Sequence, residues 1–131
     1  MRPRFLLDTN IVLRWLSEPR KLSRDQRRTI EDAEHRGEPL GVSAITLLEI
    51  VTVVESGRVR ARIEDIFEQL SGGAFHIFPL TVEIASEMAA IGVALRDPAD
   101  RVIVATARVH RLRLLTADQR IARSRLASVV E

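Results

Sequence analysis

No cysteine occurs in the 131 residues. That absence removes disulfides, thiolate nucleophiles and thiolate zinc sites together. Histidine and carboxylates are left as the only metal ligands, so any metal here should be a hard one. Lysine is almost missing as well, with Lys21 the only one among 20 basic residues. The isoelectric point of 10.3 therefore reflects arginine, while the formal net charge is only +2, too small for a strong positive field. Arginine forks suit phosphate contacts, although a coding bias toward arginine accounts for them equally well. No apolar run approaches the ~20 residues of a bilayer span, and the N-terminus has no long apolar signal segment. No membrane partner and a cytoplasmic address are the resulting expectations.

What is present fits a soluble globular chain, with 46% hydrophobic and 29% charged residues. The length suits one domain over residues 1–131. Short apolar runs alternate with helical segments. Strands are expected at RFLLD (4–8), PLGVS (39–43), FHIFPL (75–80), LRLLT (112–116) and LASVV (126–130). Helices are expected at 9–18, 23–37, 44–57, 61–73, 81–96, 97–111 and 117–124, with Ser23, Ser43, Thr81 and Asp97 as caps and Pro98 at the first helical position. The 23–37 helix reads as polar with little apolar face. This alternation predicts an α/β fold, a three-layer α/β/α arrangement around a central parallel sheet.

In such sheets ligands bind beyond the carboxyl ends of the strands, which directs attention to the acids there. Asp8 ends the first strand and Asp118 follows a later one. Asp100 falls at the third position of the helix opened by Asp97 and Pro98. Each has an ordinary alternative role, as an N-cap or as a charge favoured by the helix dipole. Glu49 is harder to explain so simply. It interrupts ITLLEIVTVV, a helix apolar on nearly every side and therefore expected to be largely buried. A buried carboxylate needs a partner, an arginine or a cation shared with other acids. A cluster of Asp8, Glu49, Asp100 and Asp118 would repel itself unless a divalent ion sat in it, and oxygen-only ligands select Mg²⁺ or Mn²⁺.

Four stretches, LLDTNIVL, SAITLLEI, DPADRVIVATA and LLTAD, in this order and spacing, closely resemble the PIN-domain ribonucleases. They resemble in particular the VapC-type toxins of bacterial toxin–antitoxin pairs. The resemblance spans nearly the whole chain, and its strength lies in the four pieces together, since none is specific alone. It implies that Asp8, Glu49, Asp100 and Asp118 coordinate Mg²⁺, with Mn²⁺ as substitute, and support hydrolysis of RNA by metal-activated water. It implies orienting roles for Asn10 and Thr116, and Asp97 stands beside the motif. It further implies a homodimer held by helices in the middle of the chain and a cognate antitoxin whose tail lies near the acids. The helices containing Arg14 and Trp15, and ARIEDIFEQL, are candidate surfaces or ordinary core. Arg101, next to Asp100, is the candidate RNA-binding residue, or else a salt-bridge partner of the cluster.

Two other readings compete. A phosphatase or phosphotransfer domain also carries an aspartate after its first strand, but Asn10 stands where a second aspartate would be needed and Lys21 is misplaced for the required lysine. A non-catalytic metal- or partner-binding α/β module would use the acids only as caps and arginine partners. His35, His76 and His110 have no metal-pair spacing and are expected to be surface or core residues.

Overall fold

The computed structural model describes residues 1–131. Five parallel strands, β1 (Phe5–Leu7), β2 (Leu40–Ser43), β3 (Phe75–Phe78), β4 (Arg113–Leu115) and β5 (Val129–Val130), form one sheet in the order β3-β2-β1-β4-β5. Seven α-helices cover it: α1 (Thr9–Ser17), α2 (Arg24–His35), α3 (Ala44–Glu55), α4 (Ile63–Leu70), α5 (Val82–Ile91), α6 (Pro98–His110) and α7 (Gln119–Ser124).

The central strand explains the layering. All three residues of β1 are buried, because a parallel strand flanked on both faces has no polar side. Phe5 and Leu7 point into a core with Ile11, Ile30, Ile50 and Leu70 from α1 to α4. Leu6 points the other way, into a core with Ile84, Ile103 and Ile121 from α5 to α7. The three-layer expectation is met.

The strand order also fixes where a ligand belongs. The chain steps from β1 outward through β2 to β3, then crosses back to place β4 on the other side of β1. The switch in direction falls at the carboxyl ends of β1 and β4, the place where open α/β sheets bind ligands. Asp8 and Thr116 are the first residues beyond those two ends.

Some elements depart from the sequence expectation. The helix expected over 81–96 stops at Ile91, because Gly92 adopts φ 54° and ψ −136°, and a 3₁₀ turn (Gly92–Ala94) follows. Another 3₁₀ turn, Pro19–Lys21, joins α1 to α2. The helix α2 is less polar in its packing than its composition suggests, since Gln26, Ile30 and Ala33 are buried. In α3 only Thr46 and Ile50 are fully buried, and Leu48 is 62% exposed, so this apolar helix lies at the surface and is not enclosed. Trp15, by contrast, packs against the core, as does Phe67 of α4, while Ile66 and Leu70 belong to it.

Gly41 of β2 is fixed by a close approach. A Cβ there would lie 2.8 Å from both Phe5 O and Phe78 Cε2. Replacing Gly41 with Ala should therefore force β1 or the Phe78 ring to shift and destabilise the fold by about 1–3 kcal/mol. Urea unfolding measures this, and an unchanged midpoint would show that the sheet can open there freely.

Candidate active site

Asp8 is the centre of the carboxyl edge. It follows β1 directly, and its backbone N–H still donates to Leu115 O at 2.9 Å, so the sheet ladder holds it in place. Its side chain is almost fully buried and caps α1, with Oδ1 accepting from Thr9 N at 2.8 Å. Oδ2 accepts from Thr116 Oγ1 at 2.6 Å and from Asn10 Nδ2 at 3.3 Å. Thr116 Oγ1 in turn accepts from Asp118 N at 3.0 Å, and Asn10 Oδ1 accepts from Ala117 N at 3.4 Å. Asn10 and Thr116 thus tie the β1–α1 junction to the β4–α7 loop. Beneath them the buried Gln26 donates from Nε2 to Thr116 O at 3.0 Å and Val130 O at 3.2 Å.

Glu49 reaches this edge from α3. It is half-buried, and its partner is neither an arginine nor a lysine: Thr9 Oγ1 donates to Glu49 Oε1 at 2.5 Å and also contacts Thr46 Oγ1 at 2.9 Å. Thr46 precedes Glu49 by three residues and so lies on the same helical face. Thr9 and Thr46 are site residues that sequence reading did not single out. For Thr46 the available signal was its place with Glu49, three residues apart, as a polar pair within an apolar helix.

Asp97 caps α6, its Oδ1 accepting from Ala99 N at 2.8 Å and Asp100 N at 3.3 Å. This frees the Asp100 carboxyl of any capping duty. Asp118 caps α7 through a 2.8 Å bond from Arg120 N to Oδ1. The arginine in the cluster is Arg120, which was not anticipated: it pairs bidentately with Asp118, Nη2 to Oδ2 at 2.9 Å and Nε to Oδ1 at 3.3 Å, and its Nη2 lies 3.7 Å from Asp100 Oδ2. Arg101 forms no ion pair with the acids, and its Nε is buried without a hydrogen-bond partner. The salt-bridge alternative for Arg101 is therefore replaced by Arg120.

The acids feel one another. Burial raises the Asp8 carboxyl above its ordinary value, the Asp118 charge adds to this, and the bonds from Thr116, Thr9 and Asn10 pull it back. Glu49 is likewise raised by burial, opposed by Thr9 and reinforced by Asp8 and Asp97. Asp100 is pushed up to about 6, first by burial and then by Asp97, Asp8 and Asp118, with Arg120 opposing. Only Asp118 is lowered, because it holds the Arg120 guanidinium.

Such an oxygen-only set, carrying excess negative charge on partly buried side chains, has the chemistry of a hard divalent-cation site. As the side chains stand, no three acidic or histidine groups close to ligating distance. An ion would be held by these carboxylates only after side-chain rearrangement, in competition with the Arg120 fork on Asp118. None of the three is locked by enclosing packing, since Glu49 is half-buried and the side chains of Asp100 and Asp118 keep 17% and 18% of their surface. The donor set fits such an ion.

Comparison with known proteins decides the family. The model of the PIN domain matches residues 5–125. The chain belongs to the PIN-domain family. Among curated proteins this PIN domain is 37% identical over 121 residues to ribonuclease VapC22 of Mycobacterium tuberculosis, with 88% of each chain covered. A toxin–antitoxin complex from Klebsiella pneumoniae contains a chain that superposes with TM-score 0.69 at 26% identity, covering 96% of this chain and 95% of that one. VapBC2 from Rickettsia felis, bound to a DNA fragment from its promoter, superposes with TM-score 0.72 over 99% and 98% of the two chains. At 14% identity that likeness supports the PIN fold alone.

The Asp100 shift has a measurable consequence. In the folded PIN domain this carboxyl takes up its proton near pH 6, in the unfolded chain near its ordinary value of 3.8. Between these values the folded state binds more protons, so stability falls as pH rises, and the penalty is fully present above about pH 6. In chelator, Asp100→Asn should raise stability at pH 8 by on the order of 1–3 kcal/mol, with the gain fading toward pH 4. Urea unfolding at several pH values checks this, and a gain independent of pH would contradict it.

Proposed function

We propose that this PIN domain, comprising the whole chain 1–131, is the ribonuclease toxin of a toxin–antitoxin pair. In this reading Asp8, Glu49, Asp100 and Asp118 hold Mg²⁺, or Mn²⁺ in its place, and RNA phosphodiester bonds are hydrolysed at the carboxyl edge of the sheet. The observation that carries it is that acids from four separate segments lie near enough at this edge to feel one another's charge, three of them with raised proton affinity. Its similarity to ribonuclease VapC22 supports the same activity.

When bound, the metal activates water and offsets the charge that develops on the phosphate. The protein's own side chains supply position. Thr116 and Asn10 fix the rotamer of Asp8, and Thr9 tethers Glu49 to the same edge through one hydrogen bond. Asp97 occupies the orphan N–H groups of α6 and leaves Asp100 free to turn inward. Arg101, beside Asp100, is a candidate contact for the RNA backbone.

An antitoxin partner agrees with the toxin–antitoxin complexes among the structural neighbours. A homodimer, and a hetero-oligomer with the antitoxin, complete the assembly in this reading. Leu48 on α3 and Val82 on α5, 62% and 85% exposed, supply apolar surface for such contacts. In this reading the toxin meets RNA in the cytoplasm; no helix is long and apolar enough to cross a membrane.

A non-catalytic module remains the second reading, because Asp8, Asp97 and Asp118 do cap helices and Arg120 does pair with acids. Glu49 and Asp100 cap nothing, and a module has no need of them at this edge. The test is cleavage of purified cellular RNA by the chain freed of antitoxin. Cleavage should require Mg²⁺ or Mn²⁺, stop on chelation, and fall about a hundredfold or more in Asp8→Asn and Glu49→Gln with the circular dichroism of the fold retained. Cleavage that survives chelator, or full activity in either variant, would contradict the metal-dependent reading.

A further inference from the structure

The guanidinium of Arg120 stands where a cation is needed. It is the one basic group in contact with the acids, it forks onto Asp118, and it reaches toward Asp100 on a different helix. Nothing packs it there: its side chain is 77% exposed, whereas the side chains of Asp118 and Asp100 are 18% and 17% exposed. Both Asp118 oxygens accept from the Arg120 fork and Oδ1 accepts from Arg120 N as well, so an ion held by both oxygens competes with the guanidinium for them. A divalent ion is a stronger partner for oxygen ligands than an exposed, screened guanidinium.

We propose that Arg120 is an exchangeable cation: it neutralises Asp118 and Asp100 in the metal-free protein, is displaced by the divalent ion, and then binds an RNA phosphate at the same edge. This rests on the metal-dependent reading given above. Arg120 sits in the first turn of α7, so displacement needs only rotation of its side chain and no movement of the helix. The freed fork matches a phosphate as it matches a carboxylate. Arg101 is not equivalent, because its Nε is buried and it has no carboxylate to leave.

The experiment titrates Mn²⁺ by calorimetry into the whole chain, into Arg120→Ala and into Arg123→Ala. Arg123→Ala removes the same charge from the exposed side of the same helix, away from any ion pair. Arg120→Ala should bind Mn²⁺ roughly threefold or more tightly than the parent, and Arg123→Ala should match the parent. A fluorescent single-stranded DNA dodecamer then serves as the phosphodiester backbone, read by anisotropy with and without Mn²⁺. Without metal the parent and Arg120→Ala should bind it equally. At saturating Mn²⁺ the variant should bind roughly threefold or more weakly. Equal Mn²⁺ affinity in parent and Arg120→Ala, or equal tightening in Arg123→Ala, would overturn the displacement. A loss of oligonucleotide binding that is the same with and without metal, or no binding by the parent at any Mn²⁺ concentration, would overturn the phosphate contact. A parent that binds no Mn²⁺ would instead overturn the metal-dependent reading itself.

Discussion

The bond between Thr116 Oγ1 and the buried Asp8 carboxylate, 2.6 Å long, is the contact on which the carboxyl edge depends. A carboxylate taken out of water must be given donors, or it neutralises. Here the donors come from both sides of the topological switch, Thr9 and Asn10 from the segment after β1 and Thr116 from the segment after β4. Because Thr116 also accepts from Asp118 N, one hydroxyl sets the relation of two acids. The backbone of that same threonine is braced by Gln26 from α2, so the hydrophobic layer beneath reaches up to the polar edge.

The edge has been given less stabilisation than it needs. Asp8, Glu49 and Asp100 hold protons more tightly than ordinary carboxyls because burial and their neighbours disfavour the charge. A structural cluster would be expected to carry matched cations, yet only Arg120 is present, and it relieves chiefly Asp118. Stress of this kind, concentrated at one end of an otherwise well-packed sheet, is characteristic of sites that complete themselves with a ligand. The same excess charge that costs stability in the free chain provides affinity for a hard cation.

Much of this was legible in the sequence, for identifiable reasons. Strands buried on both faces leave unbroken apolar runs, and Asp8 and Asp118 stood out as polar stops after such runs. The Asp97-Pro98 pair announced the start of α6 and so the position of Asp100. Burial of α3 was misjudged, because apolar composition does not say whether another element covers the outer face; Leu48 is left exposed. The end of α5 was misplaced because Gly92 looks tolerable within a helix until its backbone is seen at positive φ. Arg120 and the Thr9–Thr46 pair escaped notice since each matters through a tertiary partner, across 20 residues to Asp100 or 37 to Thr46. Linear spacing carries no trace of such contacts.

The most direct test of the central claim is crystallographic. Crystals of the chain soaked in Mn²⁺ and measured at the manganese absorption edge would reveal any bound ion by its anomalous scattering. The account expects a peak at the carboxyl ends of β1 and β4, coordinated by oxygens drawn from Asp8, Glu49, Asp100 and Asp118, with the Arg120 fork withdrawn from Asp118. An edge free of manganese at saturating concentration, with the Arg120–Asp118 pair intact, would contradict it.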